Sequence, residues 1–242
     1  MPPDSITDDP LAASLAQVEQ QQLRALLPGG LQGLVLQVPG PWPVVPLDDP
    51  GGRAWSVVMG QSYREGDMAL RADLRAWPVA SDSAAVVILR HVLEQVDDPA
   101  PVLAEAERVL MPFGRLLVIG FNPWSLCGLR GLAERFGPHP RDWWPEHLRS
   151  VNELRHALSC LPMQVEAVTT AFFRLPLERR WALHHTQLME RIGPRLLPRA
   201  GGVYCLAASK RQFAVRPLRV QWQRKPVYAR RPLRVPAGRM AA

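Results

Sequence analysis

The chain has 242 residues, 47% of them apolar, which suits one large α/β domain with appendages better than two full domains. No apolar run approaches the roughly 18–20 residues of a membrane span. Asp4, Asp8 and Asp9 stand where a secretory signal needs positive charge, so the expected location is the cytoplasm. The net charge is +7, yet ten basic residues lie from Lys210 onward with no acid among them; subtracting these leaves −3 for residues 1–209. The excess charge belongs to the end of the chain and not to its globular part.

In chain order, residues 1–10 are polar and punctuated by proline, and a disordered start is expected. Leu11, Leu15, Val18, Leu23, Leu26 and Leu27 recur at helical spacing, and Pro28-Gly29-Gly30 ends that helix. Short apolar runs at 34–38, 55–59 and 68–72 predict three strands, the first followed by a loop holding Pro39, Pro41, Pro43 and Pro46. The continuous run AAVVIL at 84–89 predicts a strand buried on both faces, as in a parallel sheet. From Val92 the pattern turns helical, and a second helix starting near Pro99 places Val102, Leu103, Ala106, Val109 and Leu110 on one face. Pro112 to Gly114 breaks it, and 115–120 is the next strand. Beyond it, 151–161 reads as helix, 164–173 as strand, 177–196 as mostly helix and 203–209 as a final strand.

Strands alternating with helices predict a doubly wound sheet, whose ligands bind beyond the carboxyl ends of the strands. The loops after Val38, Met59, Ala72, Leu89 and Gly120 are therefore the places for a site. The expected domain boundaries are 1–29 for the polar segment and helix, 30–210 for the α/β domain, and 211–242 for an Arg/Pro-rich tail without a core. Cys127, Cys160 and Cys205 have no metal-ligand or redox spacing, and no metal is expected. His184-His185 lacks a third ligand at helical spacing and reads as surface or core histidine.

Residues 82–120, DSAAVVILRHVLEQVDDPAPVLAEAERVLMPFGRLLVIG, resemble the central block of the type 11 subgroup of class I S-adenosylmethionine-dependent methyltransferases. His91, Val92, Leu93, Glu94, Asp98, Pro99, Leu103, Glu105, Arg108, Val109, Leu110, Pro112 and Gly114 occupy matching places, and Phe113 replaces the first glycine of the usual pair. The following GFNPWSLCGLR resembles a bacterial subset of that group, and the helix at 151–161 and the closing VYCLAASKR extend the likeness. The resemblance implies a Rossmann-like, doubly wound, seven-stranded α/β sheet with its last strand antiparallel beside the fifth and helices on both faces. It implies S-adenosylmethionine as cofactor and a methyl acceptor as substrate.

The same resemblance marks three loops for the cofactor. After the first strand a glycine-rich turn is usual; here Pro39-Gly40-Pro41-Trp42-Pro43 keeps only Gly40, and its prolines fix φ and remove N–H donors. After the second strand an acid usually takes the ribose hydroxyls; Gly60-Gln61-Ser62 offers Gln61 instead. After the third strand Asp73-Leu74, followed by Trp77-Pro78 and Asp82-Ser83, matches the family pattern, with Asp73 as the adenine-side residue. His91, expected to begin a helix at the carboxyl end of a strand, is the fifth candidate; a histidine held by backbone alone fits the same place. The cofactor candidates are thus Gly40, Gln61, Asp73, Leu74 and His91, with no catalytic residue singled out.

Other features have plainer readings. Glu105 and Arg108, three apart on a helix, suit a surface ion pair. Asn122-Pro123-Trp124 follows the fifth strand and suits either an acceptor-side loop with Trp124 as a stacking surface or a packed turn. Trp143-Trp144 suits a lid or a packing segment. Two functions fit the whole: a methyltransferase acting on an unidentified acceptor, or a methyltransferase-fold binding protein that has lost its cofactor. The basic tail suits an anionic partner (RNA, DNA or a lipid surface) under either.

Overall fold

The computed structural model describes residues 10–27, 32–40, 54–60, 69–135, 145, 147–173, 197 and 200–211. They form α1 (Pro10–Leu26), β1 (Gly33–Pro39), β2 (Ala54–Gly60), β3 (Ala69–Arg71), β4 (Ala84–Arg90), α2 (Ala100–Val109), β5 (Leu110–Phe121), α3 (Leu126–Arg135), α4 (Val151–Ser159), β6 (Met163–Ala171) and β7 (Val203–Lys210). The expected polar start, the 177–196 helix, Gln61, Trp143-Trp144, His184-His185 and the tail beyond Arg211 lie outside the described residues.

The strands make one sheet in the order β3-β2-β1-β4-β5-β7-β6. β1 pairs in parallel with both β2 and β4, and β4 pairs in parallel with β5. β7 is antiparallel to both of its neighbours, β5 and β6. The strand order reverses at β1, so the crevice between the ends of β1 and β4 is the topological switch point of the sheet.

Alternation along the strands sends side chains into two cores. One face carries Leu36, Val38, Val87, Leu89, Leu116, Val118 and Leu206, covered by Val102, Leu103, Ala106 and Val109 of α2 and by Leu154 and Leu158 of α4. The other carries Val35, Val86, Ile88, Leu117, Ile119 and Cys205, with Leu23 of α1 packed on it. Leu11, Leu15 and Val18 extend that layer onto Phe121, Phe172 and Val203. A strand buried on both sides has no polar face to display, which is why β1, β4 and β5 read as continuous apolar runs.

The helix starts follow local chemistry. Pro10 opens α1, where its missing N–H costs nothing. Asp98 Oδ1 accepts from the N–H of Ala100 at the start of α2, and Ser150 caps α4 by accepting from Glu153 N.

Two expectations need correction. The residues after β4 do not form a helix: 91–98 are turns and bends, and α2 starts at Ala100. His91 therefore begins no helix; its φ is +54°, in the left-handed region, which takes the chain out of β4 sharply. The helix α3 was not anticipated, because its exposed Leu126 and Leu129 blur the apolar stripe.

Candidate functional site

At the switch point the chain leaves β1 through Pro39 and Gly40, and leaves β4 through Arg90 and His91. Gly40 N donates to Arg90 O at 2.7 Å, continuing the parallel pairing one residue past the strand. A Cβ on Gly40 would lie 2.6 Å from the His91 carbonyl oxygen and 2.9 Å from Gln95 Nε2. Glycine is required here by space: the two backbones approach more closely than any side chain allows.

The His91 ring is buried, packs against Phe121 in a tilted arrangement with centroids 4.4 Å apart, and is held at both nitrogens. Nδ1 lies 2.8 Å from Glu94 Oε2, and Nε2 lies 2.9 Å from Glu19 Oε1. Glu19 reaches in from α1 and also takes Arg90, with Nε at 2.7 Å and Nη2 at 2.6 Å from its Oε2. The other oxygen of Glu94 accepts from Phe121 N. Four charged or polar side chains are thus sunk under the switch point, each bonded to another of the set. Such burial is tolerated only when charges are paired and hydrogen-bonded.

The electrostatics agree. Burial works to raise the Glu19 carboxyl, but the Arg90 and His91 charges and their hydrogen bonds outweigh it and bring its pKa down to about 2. Burial likewise works to lower His91, and the charges of Glu19 and Glu94 with their hydrogen bonds outweigh it, raising its pKa to about 9. At neutral pH His91 is an imidazolium with both N–H groups donating, a structural cation rather than a proton shuttle.

Asp73 and Leu74 follow β3. Asp73 is exposed and its Oδ1 accepts from Arg75 N at 2.9 Å, closing an Asx-type turn. Leu74 is buried, and its carbonyl accepts from the indole N–H of Trp77 at 2.8 Å. The Glu105–Arg108 pair does more than decorate a surface. Glu105 accepts from Trp77 N, and Arg108 donates to the carbonyls of Trp77 and Val79 and to Ser81 Oγ. Together they staple the post-β3 loop to α2. The turn after β4 has its own anchor: Arg149 donates to the carbonyls of Leu93, Val96 and Asp97, and His147 N donates to Glu94 O.

Of the five cofactor candidates, Gly40 and His91 meet at the switch point through their backbones. Asp73 and Leu74 lie after the edge strand β3, and Gln61 lies outside the described residues. Asn122 is spent on structure, donating from Nδ2 to Gly201 O and accepting Trp124 N and Ser125 Oγ, while the Trp124 side chain is 83% exposed. Three residues of the buried cluster, Glu19, Arg90 and Glu94, were not singled out as site residues. A signal for Glu19 existed: it falls between Leu15 and Leu23 at intervals of four, an acid on the apolar stripe of α1. Among the described residues no group of three or more metal-ligating side chains is present, and no helix is long and apolar enough to cross a membrane.

Residues 56–118 match the model of the type 11 methyltransferase family, described as a methyltransferase domain. That segment runs from β2 into β5 and holds Gln61, Asp73, Leu74 and His91, but neither Gly40 nor Glu19. Uncharacterized protein YafS of Escherichia coli (strain K12) is 44% identical over 64 residues, which is 26% of this chain. The match spans only 27% of that relative's length. Among solved structures, an S-adenosylmethionine-dependent methyltransferase from Thermotoga maritima aligns over 83% of this chain and 91% of its own, with TM-score 0.58 and 18% identity. A second, from Archaeoglobus fulgidus, aligns over 81% and 94% with TM-score 0.53 and 13% identity. The chain therefore has the fold of the class I S-adenosylmethionine-dependent methyltransferases. Within that fold, residues 56–118 are the part that matches the type 11 methyltransferase model.

Proposed function

We propose that this protein is an S-adenosylmethionine-dependent methyltransferase acting on an acceptor not yet identified. The observation that carries the reading is the meeting of Gly40 and His91 at the switch point. Both residues stand at the carboxyl ends of parallel strands where the strand order reverses, the place at which a doubly wound sheet binds its ligands. Asp73 and Leu74 extend the same edge, and Gln61 follows the strand between them.

The residues present fit such a cofactor in a particular way. The N–H of Gly40 is occupied by Arg90 O, and Pro41 and Pro43 have none, so this turn offers few backbone donors to the cofactor. Asp73 contributes charge: a carboxylate offers about four acceptor positions, and one of them takes Arg75 N. Gln61, after the second strand in sequence, could accept one hydrogen bond but carries no charge. When bound, the cofactor supplies an activated methyl group on a sulfonium centre. The chain's part is to hold the acceptor in line with that methyl and to exclude water. With both nitrogens engaged by carboxylates, His91 takes no proton from the acceptor.

Calorimetric titration of S-adenosylmethionine and S-adenosylhomocysteine into the full chain, beside Asp73→Ala, tests this. Micromolar binding that weakens ten- to a hundredfold in the variant, as loss of about 1.5–3 kcal/mol predicts, supports it. No binding at millimolar ligand by folded protein overturns it and leaves a methyltransferase-fold binding protein as the function. The Lys/Arg-rich end of the chain is proposed to engage an anionic partner through counterion release.

A further inference from the structure

We propose that Glu19 is a positioning residue of the candidate cofactor site, setting the turn after β4 and, through it, the place of Gly40. The inference rests on the cofactor reading above but can be tested apart from it.

Glu19 is the sole acid of α1, and α1 lies outside the segment that carries the methyltransferase match. The other buried side chains of that helix, Leu11, Ala12, Leu15, Val18 and Leu23, are apolar. A carboxylate among them is costly to bury, so packing alone does not account for it. Its two oxygens divide their work: Oε2 takes Arg90 and Oε1 takes His91, the last residue of β4 and the first after it.

Those two residues set the neighbouring backbone. His91 has φ +54°, a region uncommon for residues with a Cβ that persists where surrounding contacts over-determine it. The contacts are Glu19 from α1, Glu94 from the turn itself, the Phe121 ring from β5, and His91 N donating to Ile119 O at 2.9 Å. Charged groups facing His91 include Glu19 and Glu94, and Glu19 is shared with the adjacent Arg90. Downstream, the carbonyl of Arg90 holds Gly40 N, and the carbonyl of His91 stands against the face of Gly40 that a Cβ would occupy. A shift of the β4 exit therefore moves both groups that locate Gly40. Glu19 acts on Gly40 through Arg90 and His91.

The test compares Glu19→Gln, close to isosteric but uncharged, with Leu23→Ala, which loosens α1 packing without touching the cluster. In ligand-free protein, Gly40 amide exchange, measured by NMR, is expected to speed up tenfold or more in Glu19→Gln but not in Leu23→Ala. S-adenosylhomocysteine affinity is expected to fall about tenfold in Glu19→Gln, with binding lost at lower pH than in the unmodified chain. Should Glu19→Gln not fold, the 13Cα shift of Gly40 followed with pH in the unmodified chain serves instead. It should titrate together with the His91 ring, near pH 9. Equal Gly40 exchange in both variants, or a Gly40 shift indifferent to His91, overturns the inference. Failure of the unmodified chain to bind S-adenosylhomocysteine sinks the cofactor reading alone, because the Gly40 measurements still decide the role of Glu19.

Discussion

Glu19 and His91 lie 72 positions apart in the chain, and their side chains meet at 2.9 Å in the interior. That contact fastens the first helix to the exit of the central strand β4. It also places two groups of shifted pKa in one buried cluster.

Stability should depend on pH in a way the pair dictates. Glu19, depressed from 4.5 to about 2, contributes fully above about pH 4.5 and loses its contribution as pH falls through 2. His91, raised from 6.5 to about 9, contributes fully below about pH 6.5 and loses it as pH rises through 9. Urea unfolding should therefore show a plateau between those limits and a fall on the order of 3 kcal/mol from pH 6.5 to 9. Glu19→Gln should lower stability at pH 6 by about 3–5 kcal/mol and flatten the alkaline slope. An unchanged slope in that variant would show that His91 is not charged by Glu19.

Gly40→Ala should cost about 1–3 kcal/mol. The new methyl meets the His91 carbonyl at 2.6 Å, and that backbone cannot retreat without disturbing the Arg90–Gly40 hydrogen bond. S-adenosylhomocysteine affinity should fall at least tenfold with it. Full stability together with full affinity would show that the crevice is looser than this geometry.

Phe113→Gly is expected to be neutral or to stabilise by up to about 1 kcal/mol. Phe113 has φ +65° and is 70% exposed, so its side chain brings little burial to offset the left-handed backbone. That conformation costs roughly 1–2 kcal/mol for a residue with a Cβ, against about 0.5–1 kcal/mol of glycine's extra chain entropy. Thermal unfolding decides; a loss above 1 kcal/mol would reveal a packing role for the ring.

Tyr204→Phe should leave stability unchanged or raise it by about 1 kcal/mol. The Tyr204 hydroxyl is buried beside Gly120 and, among the described residues, has no hydrogen-bond partner. Burial, and then the Glu94 charge, hold its pKa well above 10. Removing an unsatisfied buried hydroxyl relieves a desolvation cost. A marked loss of stability would reveal a buried water that it binds.

Deleting residues 211–242 should abolish any salt-dependent binding to RNA, DNA or anionic vesicles while leaving S-adenosylhomocysteine affinity intact. Binding by the full chain should weaken steeply with salt, by a log–log slope of about −0.9 for each duplex phosphate neutralised. Equal nucleic-acid binding by the shortened chain would remove the tail from consideration.

The elements of the sheet were legible in the sequence because each signal is local. Runs such as 84–89 and 115–120 declare strands buried on both faces, and Leu11, Leu15, Val18 and Leu23 declare the covered face of α1. Family-like spacing from His91 to Gly114 pointed to the methyltransferase fold, and the loops after the strands pointed to where a ligand would bind. Local pattern failed at the exit of β4, where apolar residues at 92–96 suggested a helix. There a left-handed His91, held by side chains from α1, the turn and β5, imposes a turn instead. Element types follow from short-range periodicity and chemistry, which one chain states unaided, whereas the place of the antiparallel last strand beside the fifth came only through the family resemblance. The pairing of Glu19 with Arg90 and His91, and the closeness of Gly40 to His91, arise only once the sheet brings distant segments together; burial then makes those charges strong partners, a term no linear pattern contains.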